Sequence, residues 1–233
     1  MLLQGLREEV LEANLELVRH GLVLYTFGNV SGIDRSQGLV AIKPSGVAYE
    51  ELTAEKMVVS DLTGKIVDGE LRPSSDLATH LELYKHFENI GGVAHTHSEY
   101  ATAWAQAETE IPCLGTTHAD YFHGPVPVTR RLSEAAIAGD YERETGVAIW
   151  RRYTELSPDS IPAVLVAGHG PFCWGVSAGE AAHNAAILEF VARMACHTMS
   201  IDGETKPLPQ VLMDRHFLRK HGSHATYGQA KRP

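Results

Sequence analysis

Gly91-Gly92-Val93-Ala94-His95-Thr96-His97 is the stretch from which the rest of the chain is read. Two glycines lead into a short apolar run that ends in His-x-His. Strand side chains alternate faces, so residues two apart point the same way. A strand over 92–96 therefore aims the His95 and His97 imidazoles into one space. Far downstream, His169-Gly170-Pro171 offers a third imidazole on a turn. Three nitrogen donors with a fourth position open form the donor set of a catalytic divalent-metal site rather than a structural one. Chance pairing competes with that reading, because the chain holds 13 histidines and short motifs recur by accident. The segments around the motif decide between the two.

Working outward, residues 163–167 form an apolar strand that delivers Gly168-His169-Gly170. Residues 6–20 carry Leu6, Val10, Leu11, Leu15, Leu17 and Val18 at broadly helical spacing, and Gly21 stops the helix. The pattern predicts short strands over 22–25 and 39–42, with Gly28-Asn29-Val30-Ser31-Gly32 as a turn between them. Residues 57–60 and 65–67 flank Asp61-Leu62-Thr63-Gly64, a hairpin signal. Pro73-Ser74-Ser75-Asp76 opens a helix running to about Phe87. Further helices are expected over 99–106 and 210–221, and the longest over 177–199, apolar around its circumference and so buried. Strands and helices alternate, yet several strand pairs are hairpin-like. The expected fold is α/β: a sheet with substantial antiparallel pairing, covered by helices on both faces. No repeat, linker or low-complexity tract divides the chain, and a single domain over 1–233 is expected.

The net charge of −9 argues against a general nucleic-acid or membrane-surface binder, since both need a basic footprint. It leaves room for an anionic small substrate, which needs only local positive charge. Cys113, Cys173 and Cys196 show no disulfide framework and no Cys-x-x-Cys pair, so reduced thiols in a cytoplasm are expected. The start turns charged at once, unlike a secretory signal, and no apolar run approaches the length of a membrane span.

Several segments suit a phosphorylated ligand. Ser74 and Ser75 sit at a helix start, where capping alone would explain them and where free N–H groups also favour an anion. Lys43-Pro44-Ser45-Gly46 offers a cation, a hydroxyl and a small residue; Gly28-Asn29 offers much the same without the charge. Each alone is more commonly a turn. Asp76 either complements the helix dipole or serves as an oxygen ligand beside the histidines, and His80, one turn on, reads as packing. Thr116-Thr117-His118-Ala119-Asp120-Tyr121 is a polar cluster whose Asp120 is either a solvated carboxylate or a proton-transfer group. Tyr227 near the C-terminus matters only if the tail folds over a site. His216 and Arg219 share one helix face, and surface exposure is the default for both.

Taken together these blocks resemble the class II aldolase and epimerase family nearly end to end. The likeness rests on Gly28-Asn29-Val30-Ser31, Lys43-Pro44-Ser45-Gly46-Val47, Pro73-Ser74-Ser75-Asp76, His95-Thr96-His97-Ser98, Gly115-Thr116-Thr117-His118-Ala119-Asp120-Tyr121-Phe122, His169-Gly170-Pro171-Phe172 and His216-Phe217-Leu218-Arg219-Lys220-His221-Gly222. The resemblance implies a three-layer α/β/α fold with a mainly antiparallel sheet, assembled as a four-fold homotetramer with sites at subunit interfaces. It implies zinc, or another divalent ion, on His95, His97 and His169, with Asp76 completing or flanking the set. Phosphate would be held by Gly28, Asn29, Ser45, Gly46, Ser74 and Ser75 with Lys43 nearby, and Thr116, Glu142 and Arg219 would contribute to substrate binding. Asp120 and Tyr227 fall where the family places its acid/base pair, and His216 where a residue of the adjacent subunit reaches the site. The implied reaction is metal-dependent 4-epimerisation of a phosphorylated ketopentose through cleavage and re-formation of C3–C4. The alternatives are a zinc-dependent sugar-phosphate aldolase and a non-catalytic binder of phosphosugar or metal. Asp76, where the family's aldolases carry glutamate, and the block from Thr116 to Tyr121 favour the epimerase.

Overall fold

The computed structural model describes residues 1–222 and 225. Its sheet is built from β1 (Asn29–Asp34), β2 (Leu39–Ile42), β3 (Val58–Asp61), β4 (Ile66–Asp68), β5 (Gly92–His95), β6 (Ala163–Val166) and β7 (Gly170–Gly175). The seven strands run in the order β4-β3-β2-β1-β5-β7-β6, every neighbouring pair antiparallel. Apolar strands such as β2 and β6 are buried on both faces, as near-continuous hydrophobic runs require. The short edge strand β4 carries the exposed Ile66 and Val67.

Helices cover both faces. Strand alternation makes the division visible in β1. Gly32 faces Leu6 and Val10 of α1 (Gln4–Arg19) and Ala178 of α7 (Ala178–Ile201). Ser31 points the other way, its Oγ 2.7 Å from Nδ1 of His80 in α2 (Leu77–His86). Helix α2 packs in turn on α6 (Tyr141–Arg152), and α3 (Glu99–Gln106) packs on α7. Shorter helices α4 (Thr116–Ala119) and α5 (Glu134–Ala138) precede α6, and α8 (Gln210–His221) packs on α4. Among the described residues no helix is long and apolar enough to cross a membrane. All three cysteines are free; Cys113 and Cys173 are buried and Cys196 is exposed.

Three features of the pattern differ in the structure. Residues 22–25 form no strand: Leu22 caps the end of α1 through the Leu17 carbonyl, and Leu24 and Tyr25 stand exposed. Of the stretch read as a turn, 28–32, residues 29–32 instead begin strand β1. Its small polar residues mimic turn composition because each has another task. Asn29 and Ser31 bond side chains of neighbouring elements, and Gly32 admits α1 and α7. Helix α7, expected to be buried all round, is buried along one face as far as Ala195, while Phe190, Met199 and Ile201 stand exposed.

Two tests follow from this packing. A Cβ at Gly92 would sit 2.4 Å from both the Ala178 Cα and the Ser177 carbonyl oxygen, backbone atoms that cannot swing aside. Gly92→Ala is expected to destabilise the protein by about 3 kcal/mol or more in urea unfolding. Gly5→Ala, with open space at its Cβ, should leave stability unchanged or slightly raised. Beneath the sheet, Ser31, His80 and Tyr84 form a buried polar network. Burial pushes the His80 imidazole down to about 3, against the opposing pull of Asp76. Unfolded histidine takes up its proton near pH 6.5, whereas the native state refuses it until about 3, so stability present above pH 6.5 is lost as the pH falls toward 3. His80→Gln should flatten that acid slope by an amount on the order of 4 kcal/mol across the window, read from urea midpoints at successive pH values.

Candidate active site

Sheet register builds the site. β5 pairs with β7 so that His95 faces Phe172, and His169 sits at the tip of the hairpin joining β6 to β7. His95 is buried, stacks on the Phe172 ring at 4.1 Å between centroids, and donates from Nδ1 to the Pro171 carbonyl at 2.9 Å. That bond fixes the tautomer and leaves the Nε2 lone pair bare. The strand ends at His95, and the chain beyond it carries His97 so that its Nε2 lies 3.1 Å from His95 Nε2. One ring nitrogen from each of His95, His97 and His169 lies within 4.8 Å of the others.

This donor set fits a divalent cation. Tetrahedral zinc with bonds of about 2.0 Å places neighbouring nitrogens about 3.3 Å apart, close to the His95–His97 separation. Ion binding also needs neutral imidazoles. Burial, reinforced by the charges of His95 and His97, pushes His169 down to about 4. Burial and then the charge of His95 lower His97 as well. Asp76 faces the same cleft but stands outside the nitrogen cluster. Burial would raise its carboxyl; the charges of His95 and His80, with a 2.7 Å hydrogen bond from Asn29 Nδ2, outweigh that and hold it below its usual range.

The cleft of about 430 Å³ continues from the histidines toward Lys43, Ser45, Gly46, Ser74 and Ser75. Lys43 is the electrostatic anomaly there. Its ammonium is buried and, among the described residues, meets the Thr26 and Pro44 carbonyls at 3.3 and 3.4 Å and the Tyr49 ring at 4.9 Å. Burial lowers its pKa, and no carboxylate pairs with it among the described residues. A buried charge without a counter-ion is costly, and an anion in the cleft would relieve it. Ser45 N–H and Ser74 N–H are already given to the Arg72 and Lys43 carbonyls, so those two serines offer the cleft hydroxyls rather than amides. Ser74 Oγ also accepts from Asn29 Nδ2 at 3.0 Å, which ties this wall to Asp76. At Gly28, φ is +74° and a Cβ would lie 2.9 Å from the His95 carbonyl, so only glycine lets this turn lie against the strand that carries His95.

The structure divides the remaining candidates. Glu142 lines the cleft. Thr116, Asp120, His216 and Arg219 do not; they cluster where α4 meets α8. There Asp120 accepts from Arg219 at 2.8 and 2.9 Å and from His216 Nδ1 at 3.0 Å. Burial opposes ionisation of this carboxyl, but the hydrogen bonds from Arg219 and His216 and the charge of Lys220 hold it below the usual range. Tyr227 lies outside the described residues. Sequence reasoning missed Tyr141, whose phenol lines the cleft 3.3 Å from His169 Nδ1. The signal was faint: Asp140, the residue before it, is a helix cap that accepts from Arg143 N–H at 3.4 Å.

Comparison with known proteins agrees with this architecture. An L-fuculose 1-phosphate aldolase structure aligns over 91% of this chain and 94% of its own, with 27% identity and a TM-score of 0.77. YgbL from Klebsiella pneumoniae aligns over 91% of this chain and 97% of its own, with 27% identity and a TM-score of 0.73. L-fuculose-1-phosphate aldolase from Thermus thermophilus, at 23% identity, covers 87% of this chain and 98% of its own, with a TM-score of 0.67, and shares the fold. Residues 8–196 match the class II aldolase and adducin N-terminal domain, and the chain belongs to that family.

Proposed function

We propose that this protein is a metal-dependent L-ribulose-5-phosphate 4-epimerase, interconverting that sugar with D-xylulose 5-phosphate. The observation that carries the reading is one cleft with a three-imidazole cluster at one end and, at the other, the buried Lys43, which no carboxylate pairs among the described residues. Such a cleft suits a small ligand with chelating oxygens at one end and a phosphate at the other.

A divalent ion on His95, His97 and His169, zinc by the donor set, would act as a Lewis acid toward the ketose C2 and C3 oxygens. Lys43, Asn29, Ser45, Gly46, Ser74 and Ser75 hold the phosphate in this reading. A base takes the C4 hydroxyl proton, and C3–C4 breaks to give the enediolate of dihydroxyacetone and glycolaldehyde phosphate. The aldehyde turns, C3 attacks its opposite face, and a proton returns to the new C4 oxygen. Anchoring the phosphate keeps the fragment in place between the two bond events. Inversion needs proton carriers on two faces, the roles given to Asp120 and Tyr227. Because Asp120 and His216 lie off the cleft of their own chain, they would act on a neighbouring copy, as in a four-fold homotetramer. Asp76, shorter than glutamate and tied to Asn29 at 2.7 Å, reaches too little to protonate the enediolate carbon and release product.

One finding favours a second reading, a sugar-phosphate aldolase: the 27% identity to L-fuculose 1-phosphate aldolase over 91% of the chain. Incubation with L-ribulose 5-phosphate separates them. D-xylulose 5-phosphate should form, stop on chelation and resume with added zinc. Release of free dihydroxyacetone as the main product would favour the aldolase, and no conversion would leave a binding protein. Lys43→Met should weaken inorganic phosphate binding at least about tenfold by calorimetry while leaving thermal stability equal or higher, since it removes a buried unpaired charge. Mixing inactive Asp76→Ala and His216→Ala proteins under subunit exchange should recover up to roughly a quarter of wild-type activity, the share of sites with both residues intact in a random cyclic assembly. No recovery despite proven exchange would put His216 to work in its own subunit or out of the reaction.

A further inference from the structure

Tyr141 is the first residue of α6, and the start of that helix is unusually well fixed. Thr79 on α2 donates to the Glu142 carbonyl at 2.5 Å, and Thr145 donates to the Tyr141 carbonyl at 2.8 Å. Gly146 lies so close to α2 that a Cβ there would meet the Glu82 side chain at 2.6 Å. The phenol is thus carried by a scaffold locked to the helix that follows Asp76. From there its oxygen reaches to 3.3 Å from His169 Nδ1, with the two rings 6.0 Å apart. His169 is the cluster histidine on a hairpin tip, whereas His95 is held by its strand and the Pro171 carbonyl. A residue on a tip needs an outside partner to keep its ring in one orientation.

The direction of the bond follows from the tautomer. With Nδ1 facing the phenol, Nε2 is the nitrogen left for an ion. A neutral imidazole that offers Nε2 carries its proton on Nδ1. Nδ1–H therefore donates and the phenol oxygen accepts, which frees the phenol's own proton to point elsewhere in the cleft. We propose that Tyr141 is a positioning residue of the metal centre: its oxygen accepts the Nδ1–H of His169, holds that ring with Nε2 toward His95 and His97, and presents the phenol O–H to an oxygen of the bound ligand. This rests on the metal-site reading above.

Cobalt(II) is the probe, because its visible spectrum reports ligand geometry. Metal-free wild type and Tyr141→Phe are titrated with Co²⁺ against a chromophoric chelator. The variant should bind about 10- to 100-fold more weakly, with a shifted visible band, while the unfolding temperature of the metal-free proteins stays the same. Equal affinity and an unchanged band overturn the positioning role. In Co²⁺-loaded wild type, the shifted His169 Nδ1–H resonance should exchange slowly with solvent; rapid exchange overturns the role without recourse to a variant. At saturating Co²⁺, glycolate should bind the variant several-fold more weakly than wild type, and equal binding removes the donor role. Failure of the wild type to bind Co²⁺ at all, or binding that His169→Ala leaves intact, overturns the metal-site reading itself and this inference with it.

Discussion

The hydrogen bond from His95 Nδ1 to the Pro171 carbonyl joins scaffold and chemistry. It exists because β5 and β7 pair with Ala94 opposite Cys173 and His95 opposite Phe172. A slip of one residue in that register would turn His95 to the other face and bury an unsatisfied imidazole. The same pairing brings the hairpin tip with His169 beside the strand end. Neighbouring elements serve this geometry. Glu189 of α7 accepts the Tyr100 and Ala101 N–H groups at 2.9 Å each, and so pins the start of α3 just past His97.

Two costly arrangements lie in one cleft. Nitrogen lone pairs converge at one end, and an ammonium that meets no carboxylate among the described residues lies at the other. Both are costs the protein bears on its own. Residues past the cleft follow a different logic. Asp120 is surrounded by Arg219, His216 and Lys220, which compensate its negative charge.

Much of this was legible in the chain because the physics was local. Helices α3 and α8 and strand β2 lie where hydrophobic period and flanking residues put them. The His95, His97 and His169 cluster was legible as a set of residues, but not by the route expected: the strand stops at His95, and it is the irregular chain beyond it that turns His97 back toward the same space. Strand β1 was not legible, since Asn29, Ser31 and Gly32 were selected for what they touch and not for strand propensity. Tyr141 was hidden because its partner lies 28 positions away and nothing in the local pattern points to it. That Asp120 leaves the cleft of its own chain is likewise a matter of tertiary packing: its cations come from α8, about a hundred positions on.

Strand β1 also limits how this protein can be improved. Design for heat resistance would begin by replacing its small polar residues with valine or isoleucine, which a pleated strand prefers. Here that exchange would cut the link from Asn29 to Asp76, displace the hydroxyl between His80 and Tyr84, and wedge α1 and α7 off the sheet. The weakest-looking strand is where robustness and activity trade against each other, so stabilising changes belong on the outer faces of the helices.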